Sequence, residues 1–229
     1  MLAKKIESLQ HPEVLHWSKL LKSKSYRKKF NSTLVSGEKL IRELSSQVPS
    51  LRLITLAPSD IPAVETFLVT RPILKKITNL QEPDGYAAEI PLPSFQDLSS
   101  CQNLLILDQI ADPGNLGALL RTAYALSWDG VVATPGTVDF FNDKALRAAK
   151  GATFHIPLAI ESPETLLSWK LSFYVADIEG KNVSALSFKA PLALVLSNEG
   201  QGISFWANTL GTKVHIPMKK QAESLNVAS

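Results

Sequence analysis

Cysteine is nearly absent from this chain of 229 residues; a lone Cys101 excludes an intramolecular disulfide framework and a cysteine metal cluster. No apolar run approaches the roughly 18 residues that a membrane-spanning helix needs. The opening stretch "MLAKKIESLQHPEV" has positive charge without an apolar core, which is not the pattern of a secretory signal. No membrane partner is expected, and the cytoplasm is the expected compartment. The histidines, His11, His16, His155 and His215, are scattered, and no His, Cys or acidic group shows metal-ligand spacing, so no metal is expected. His155 and His215 fall in apolar runs and read as core or supporting residues. Repeats and low-complexity tracts are also lacking.

What is present is ordinary in bulk: 45% hydrophobic and 20% charged residues, enough for a real core in one large or two small domains. The charge is not evenly spread. Residues 1 to 30 hold eight Lys/Arg against Glu7 and Glu13, although the whole chain carries only +3. The cluster "KSKSYRKKF", with Tyr26 inside it, reads either as a solvated helix face or as a phosphate-contacting surface, and the clustering favours the second.

Along residues 1 to 94, strand and helix patterns alternate. "PEVLHWSKLLKS" predicts a helix opened by Pro12, with Leu15, Leu20 and Leu21 as its stripe. "STLVSGEKLIREL" predicts a strand and then a helix from near Gly37, "LRLITLA" a strand, and "PSDIPAVETFLV" a helix. "PILKKIT" reads as strand or helix. The Pro- and Ser-rich stretch that follows reads as the tail of a small α/β domain and a linker over 95–102. From residue 103 the apolar runs "NLLILD", "GVVAT", "TFHIPLAI", "LSFYVAD", "LALVLS" and "KVHIP" are near-continuous, as in strands covered on both faces. Helical patterns separate them, so 103–229 predicts an α/β domain with a mostly parallel sheet.

Ligands of such sheets bind beyond the carboxyl ends of the strands, and three ends here are chemically loaded. In "LDQIADPGNLGALLRTAYAL", Asp112-Pro113 opens a helix in which Arg121 lies among apolar residues. A buried guanidinium needs a partner, so Arg121 is expected either in a structural ion pair, with Asp108 or Glu199, or in a functional role. In "LVLSNEGQGIS", Glu199 follows a strand, and Gly200 and Gly202 permit positive φ and close backbone approach. A helix-capping Glu199 is the plainer alternative. In "VHIPMKKQAESLNVAS", a strand end leads into Ser224-Leu225-Asn226, where Ser224 reads equally as a helix cap.

Taken together and in this order, the three segments resemble the motifs of the SpoU, or TrmH, family of RNA ribose 2′-O-methyltransferases, of the SPOUT class. The resemblance covers 103 to 229, and more loosely the front segment around "LVSGEKLIREL". It implies a SPOUT domain with a trefoil knot, S-adenosylmethionine as cofactor, a homodimer with its site near the subunit interface, and a small N-terminal α/β domain that binds substrate RNA. By position, Asn115, Arg121 and Glu199 are the implied catalytic residues. Gly200, Ile216, Met218, Ser224, Leu225 and Asn226 are the implied cofactor contacts. The basic front supplies RNA-binding candidates Lys22, Lys24, Arg27, Lys28 and Lys29. Family members continue with an apolar helix beyond the point where this sequence stops, so that final helix is expected to be missing here.

The implied reaction is methyl transfer to a ribose 2′-hydroxyl of structured RNA, rRNA ahead of tRNA, by positioning and by stabilising a forming alkoxide. An RNA-binding module that has lost catalysis is the alternative. A dehydrogenase or conventional nucleotide-fold methyltransferase is disfavoured, because only Gly114 and Gly117 follow the strand where G-x-G-x-x-G would stand.

Overall fold

The computed structural model describes residues 3–49, 51–198, 200, 202–219 and 225–228. The chain divides into two units: Met1–Pro93 with Phe141–Arg147, and Ser94–Phe140 with Ala148–Ser229. No helix among the described residues is long and apolar enough to cross a membrane.

The first unit is built on a mixed five-stranded sheet. In chain order it contains β1 (Lys4–Ile6), α1 (Pro12–Lys22), α2 (Lys24–Phe30), β2 (Ser32–Ser36), α3 (Glu38–Ser45), β3 (Arg52–Thr55), β4 (Glu65–Val69), α4 (Arg71–Thr78) and β5 (Tyr86–Pro91). The sheet order is β1-β4-β3-β5-β2, with β5 antiparallel to both its neighbours. The buried stripe of α1 is Val14, Trp17 and Leu20, each fully buried, while Leu15 is 39% exposed. Of the predicted stripe, Leu20 faces the core and Leu21 is partly buried, while Leu15 turns outward and Val14 and Trp17 complete the buried face. Ser23 caps α2 by accepting from the Tyr26 N–H, and Asn31 ends it in the left-handed region with φ 48°.

Two expectations fail in this unit. "PSDIPAVETFLV" is a loop followed by β4, because Pro58 and Pro62 break any helix and Phe67 and Val69 alternate inward. β5 lies in a stretch read as tail and linker; its Ala-Ala-Glu centre lacks the β-branched residues that mark strands. Residues 95–102 are not a free linker. Leu98 is buried, the Gln96 N–H donates to the Leu158 carbonyl at 2.9 Å, and the stretch falls within the second unit.

The second unit carries six parallel strands in the order β11-β9-β10-β6-β7-β8. They are β6 (Asn103–Asp108), β7 (Gly130–Ala133), β8 (Leu158–Ile160), β9 (Ser172–Asn182), β10 (Leu192–Ser197) and β11 (Thr212–His215). Helices α5 (Pro113–Ala125), α7 (Pro163–Ser168) and α8 (Phe205–Leu210) join them, and α6 (Asp143–Ala149), most of which belongs to the first unit, lies in the connection from β7 to β8. Leu104, Ile106, Val132, Ala193 and Val195 form one buried face with Ala207 of α8. The predicted strand 153–160 shrinks to β8, because Gly151 at φ 96° starts a 3-10 turn over Ala152–Phe154. His155 therefore lies beside that turn, not in a strand. His215 is in β11, with Nδ1 2.7 Å from the Gly180 carbonyl oxygen.

Between Lys213 and Val214 the pairing of β11 with β9 jumps from Val175 to Lys181. The intervening excursion of β9 returns at Gly180. A Cβ there would stand 2.4 Å from the Val214 nitrogen, so only glycine fits. Lys213 pairs with Asp177 at 2.6 Å on the same excursion, and this lysine, with the N–H of Glu179, holds the Asp177 carboxyl below its usual range.

Candidate active site

The strand order reverses between β6 and β10. From β6 the chain proceeds towards β7 and β8; from β10 it passes over β9 to β11. The connections leaving these adjacent strands diverge, and that leaves a crevice at their carboxyl ends. Asp108 and Ser197, the last residues of the two strands, are register partners there.

Asp108 is 1% exposed. Its Oδ1 accepts from the Thr134 hydroxyl at 2.8 Å and from the Trp206 indole at 3.4 Å. Its Oδ2, though buried, has no hydrogen-bond partner among the described residues, nor have the buried hydroxyls of Ser197 and Ser204. Buried polar atoms are rarely left so. The Thr134 hydroxyl also accepts from the N–H of Gln109, which takes a left-handed φ of 57° as the chain leaves β6.

Asn198 binds the two diverging loops together. Its N–H donates to the Asp108 carbonyl at 3.2 Å, and its Nδ2 donates to the Gln109 carbonyl at 2.9 Å. Its Oδ1 accepts from the Gly200 N–H at 2.8 Å, and its carbonyl from the Gly202 N–H at 2.8 Å. Gly202, not Gly200, takes the positive φ, at 72°. A Cβ on Gly202 would meet nothing within 4 Å, so backbone conformation alone demands glycine there.

Asn115 lies in the first turn of α5, where the Asp112 carboxylate accepts its backbone N–H at 2.8 Å. It therefore sits at the crevice end of the sheet. Arg121 departs from expectation. It is exposed, about 9 Å further along the helix axis, and pairs with neither Asp108 nor any other described acid. Helical phase turns it outward, while Leu116, Leu119 and Leu120 turn in. Ile216 and Leu225 are 60% and 52% exposed, Met218 is half-buried, and Asn226 accepts the Ala228 N–H. Glu199 and Ser224 lie outside the described residues. Asp108 and Asn198, which stand at the crevice, were not among the expected site residues; the acid at a strand end was the available signal for the first.

Among the RNA candidates, Lys22, Lys24, Lys28 and Lys29 are exposed. Arg27 is not a surface cation. It is 4% exposed and donates from Nη1 to the carbonyls of Leu20 and Leu21 at 2.6 and 3.2 Å, closing the carboxyl end of α1.

A six-stranded parallel α/β unit with a braced switch-point crevice defines a class of ligand-binding sheet proteins. Within that class, the model of the SpoU rRNA Methylase family matches residues 102–229, and the chain belongs to this family. It is 33% identical to the 23S rRNA (guanosine(2553)-2′-O)-methyltransferase RlmP of Bacillus subtilis, over 98% of this chain and 95% of that protein. Its fold matches that of an AdoMet-bound rRNA methyltransferase from Sinorhizobium meliloti, with a TM-score of 0.87 at 24% identity over 99% of this chain and 93% of that one. The SpoU methyltransferase AviRb of Streptomyces viridochromogenes also shares the fold, with a TM-score of 0.82 at 24% identity, covering 94% of this chain and 91% of that one.

Proposed function

We propose that this protein transfers a methyl group from S-adenosylmethionine to a ribose 2′-hydroxyl of ribosomal RNA. The observation that carries the reading is the Asn198-braced crevice at the carboxyl ends of β6 and β10, inside the segment matched to the family. The name of the Bacillus relative, a 23S rRNA 2′-O-methyltransferase, supports rRNA as the substrate.

The residues present fit the cofactor. The Oδ2 of Asp108 and hydroxyl of Ser197, without partners among the described residues, are acceptors for ligand N–H or O–H groups, and Ile216 offers exposed apolar surface at the end of β11. Gly200, Ile216, Met218, Ser224, Leu225 and Asn226 would hold S-adenosylmethionine, which supplies an activated methyl group when bound. Asn115 orients the ribose, and Glu199 orients Asn115 or Arg121. A guanidinium holds its proton too tightly to serve as a base. Arg121 therefore acts as a fixed cation that stabilises the alkoxide as the 2′-hydroxyl loses its proton to solvent or phosphate. Its exposure suits a group that meets RNA. The C-terminal segment is proposed to thread as a trefoil knot, and two copies to assemble near Arg121, where Tyr124 and Leu126 are 49% and 67% exposed on the end of α5. The lysines of α1 and α2 make residues 1–94 the proposed RNA-binding part.

Two measurements test the reading together: calorimetric titration with S-adenosylmethionine, and mapping of 2′-O-methyl groups on total RNA from cells with and without the protein. A saturable heat and one lost rRNA methyl group are expected. RNA binding with no cofactor binding and an unchanged methyl map would overturn it in favour of a non-catalytic RNA-binding module.

A further inference from the structure

The corner between α1 and α2 carries rings as well as charge. Phe30, which ends α2, is 46% exposed. Tyr26, one turn earlier, packs against it with centroids 4.4 Å apart and planes at 34°. His16 of α1 meets Phe30 edge-on at 5.0 Å and Tyr26 at 5.5 Å. The Lys19 ammonium lies 5.7 Å from the Tyr26 centroid, and that of Lys29 5.7 Å from the Phe30 centroid.

This plate is anchored from below. His16 Nε2 is 3.0 Å from the Glu89 carboxylate, and its Nδ1 is 3.0 Å from the Tyr26 hydroxyl. Glu89 is 8% exposed and also accepts from Trp17, Ser32 and Arg52, at 3.1, 3.0 and 2.7 Å. A carboxylate only accepts, so Nε2 carries the proton towards Glu89. In the neutral ring Nδ1 then accepts from the Tyr26 hydroxyl. Tyr26 is thus fixed through His16 to a buried carboxylate, and Phe30 leans on both.

A solvated basic helix needs no such buttress. An apolar partner for Phe30 would have to desolvate the surrounding ammonium groups. An unpaired nucleotide satisfies both features at once, since every base has a π-face and its neighbouring phosphates carry negative charge. We propose that the Tyr26–Phe30 plate with Lys19, Lys28 and Lys29 binds an unpaired nucleotide of the substrate RNA, the base stacking on Phe30 and the adjacent phosphates meeting the lysines. This rests on the reading of RNA as the substrate. Lys29 moves aside from the ring to the rim as the base arrives.

The test is fluorescence anisotropy on the full chain, with a hairpin RNA bearing an unpaired loop and with a fully paired RNA duplex, at several salt concentrations. Phe30→Leu keeps an apolar side chain and removes the ring. It should weaken hairpin binding about 5- to 150-fold, the range for one lost stacked base, leave duplex binding unchanged and preserve the salt slope. Lys28→Gln with Lys29→Gln should instead weaken both RNAs and flatten the slope by roughly 2. Phe30→Trp should keep hairpin affinity, and its indole emission should be quenched by the hairpin, which gives a second readout that does not depend on the leucine variant folding. If the wild-type chain binds neither RNA, the RNA reading and this site fall together. If it binds both, and Phe30→Leu binds them as wild type does or loses equally on both, only this site falls. An unquenched Phe30→Trp that still binds the hairpin also overturns it.

Discussion

Asn198 uses both ends of one amide: Nδ2 holds the loop after β6 and Oδ1 holds the loop after β10. Asn198→Asp keeps an acceptor for Gly200 but turns a second oxygen on the Gln109 carbonyl. Losing that bond and gaining a repulsion should cost about 1–3 kcal/mol at the crevice. Calorimetry should therefore show S-adenosylmethionine affinity reduced about 10-fold or more, and unaltered affinity would remove Asn198 from the site. Arg121→Ala should lower methyl transfer by at least about 100-fold, the scale of one lost oxyanion stabiliser, with cofactor affinity and melting temperature little changed because the side chain is exposed. Wild-type turnover in that variant would sink the role. The motif residues were legible because their order along the chain is a sequence property. What Asn198 does was not, because Gln109 lies 89 residues away. Nor was the difference between Arg27 and the lysines beside it, since the contact of Arg27 with α1 depends on how two helices meet.

At the scale of elements, the bend in β9 is the most exacting feature. Gly180→Ala would press a methyl group into the backbone at Val214 and disturb the Asp177–Lys213 pair on the same excursion. Overpacking of this kind costs about 1–3 kcal/mol when neighbours can shift, and here the neighbour is main chain. Thermal unfolding should show a clear drop, and hydrogen exchange should rise first in β11; a wild-type melting curve would mean that the strands can separate at no cost. Strands β6 and β7 were readable as apolar runs because both their faces are covered, and β10 because its less covered face also carries leucines. β4 and β5 were not: β4 is short and half-buried, and β5, though mostly buried, has an Ala-Ala-Glu centre that places Glu89 in the interior. The last residues of β9, "IEGKN", alternate with charge and glycine, so this strand was read as ending at residue 177 although it runs to Asn182.

At the scale of the whole molecule, acid should weaken the fold through the Glu89 network. Burial pushes the Glu89 carboxyl up, but the His16 hydrogen bond and the Arg52 charge outweigh it, and the group titrates below its ordinary value of 4.5. A depressed carboxylate stabilises the fold above its unfolded value, and the contribution disappears as pH falls through the folded value. Melting temperature should therefore decline as pH drops below about 4.5. Glu89→Gln should be less stable at neutral pH and show a flatter acid limb; an acid limb as steep as wild type would assign the effect to other carboxylates. Gly180 also bears on the edge of the sheet. Its carbonyl meets His215, a residue 35 positions later, across the pairing of β9 with β11 at the edge of the sheet. As an edge strand paired with β9, β11 can part from its sheet without breaking any other pairing, and the loop carrying Ile216 and Met218 parts with it.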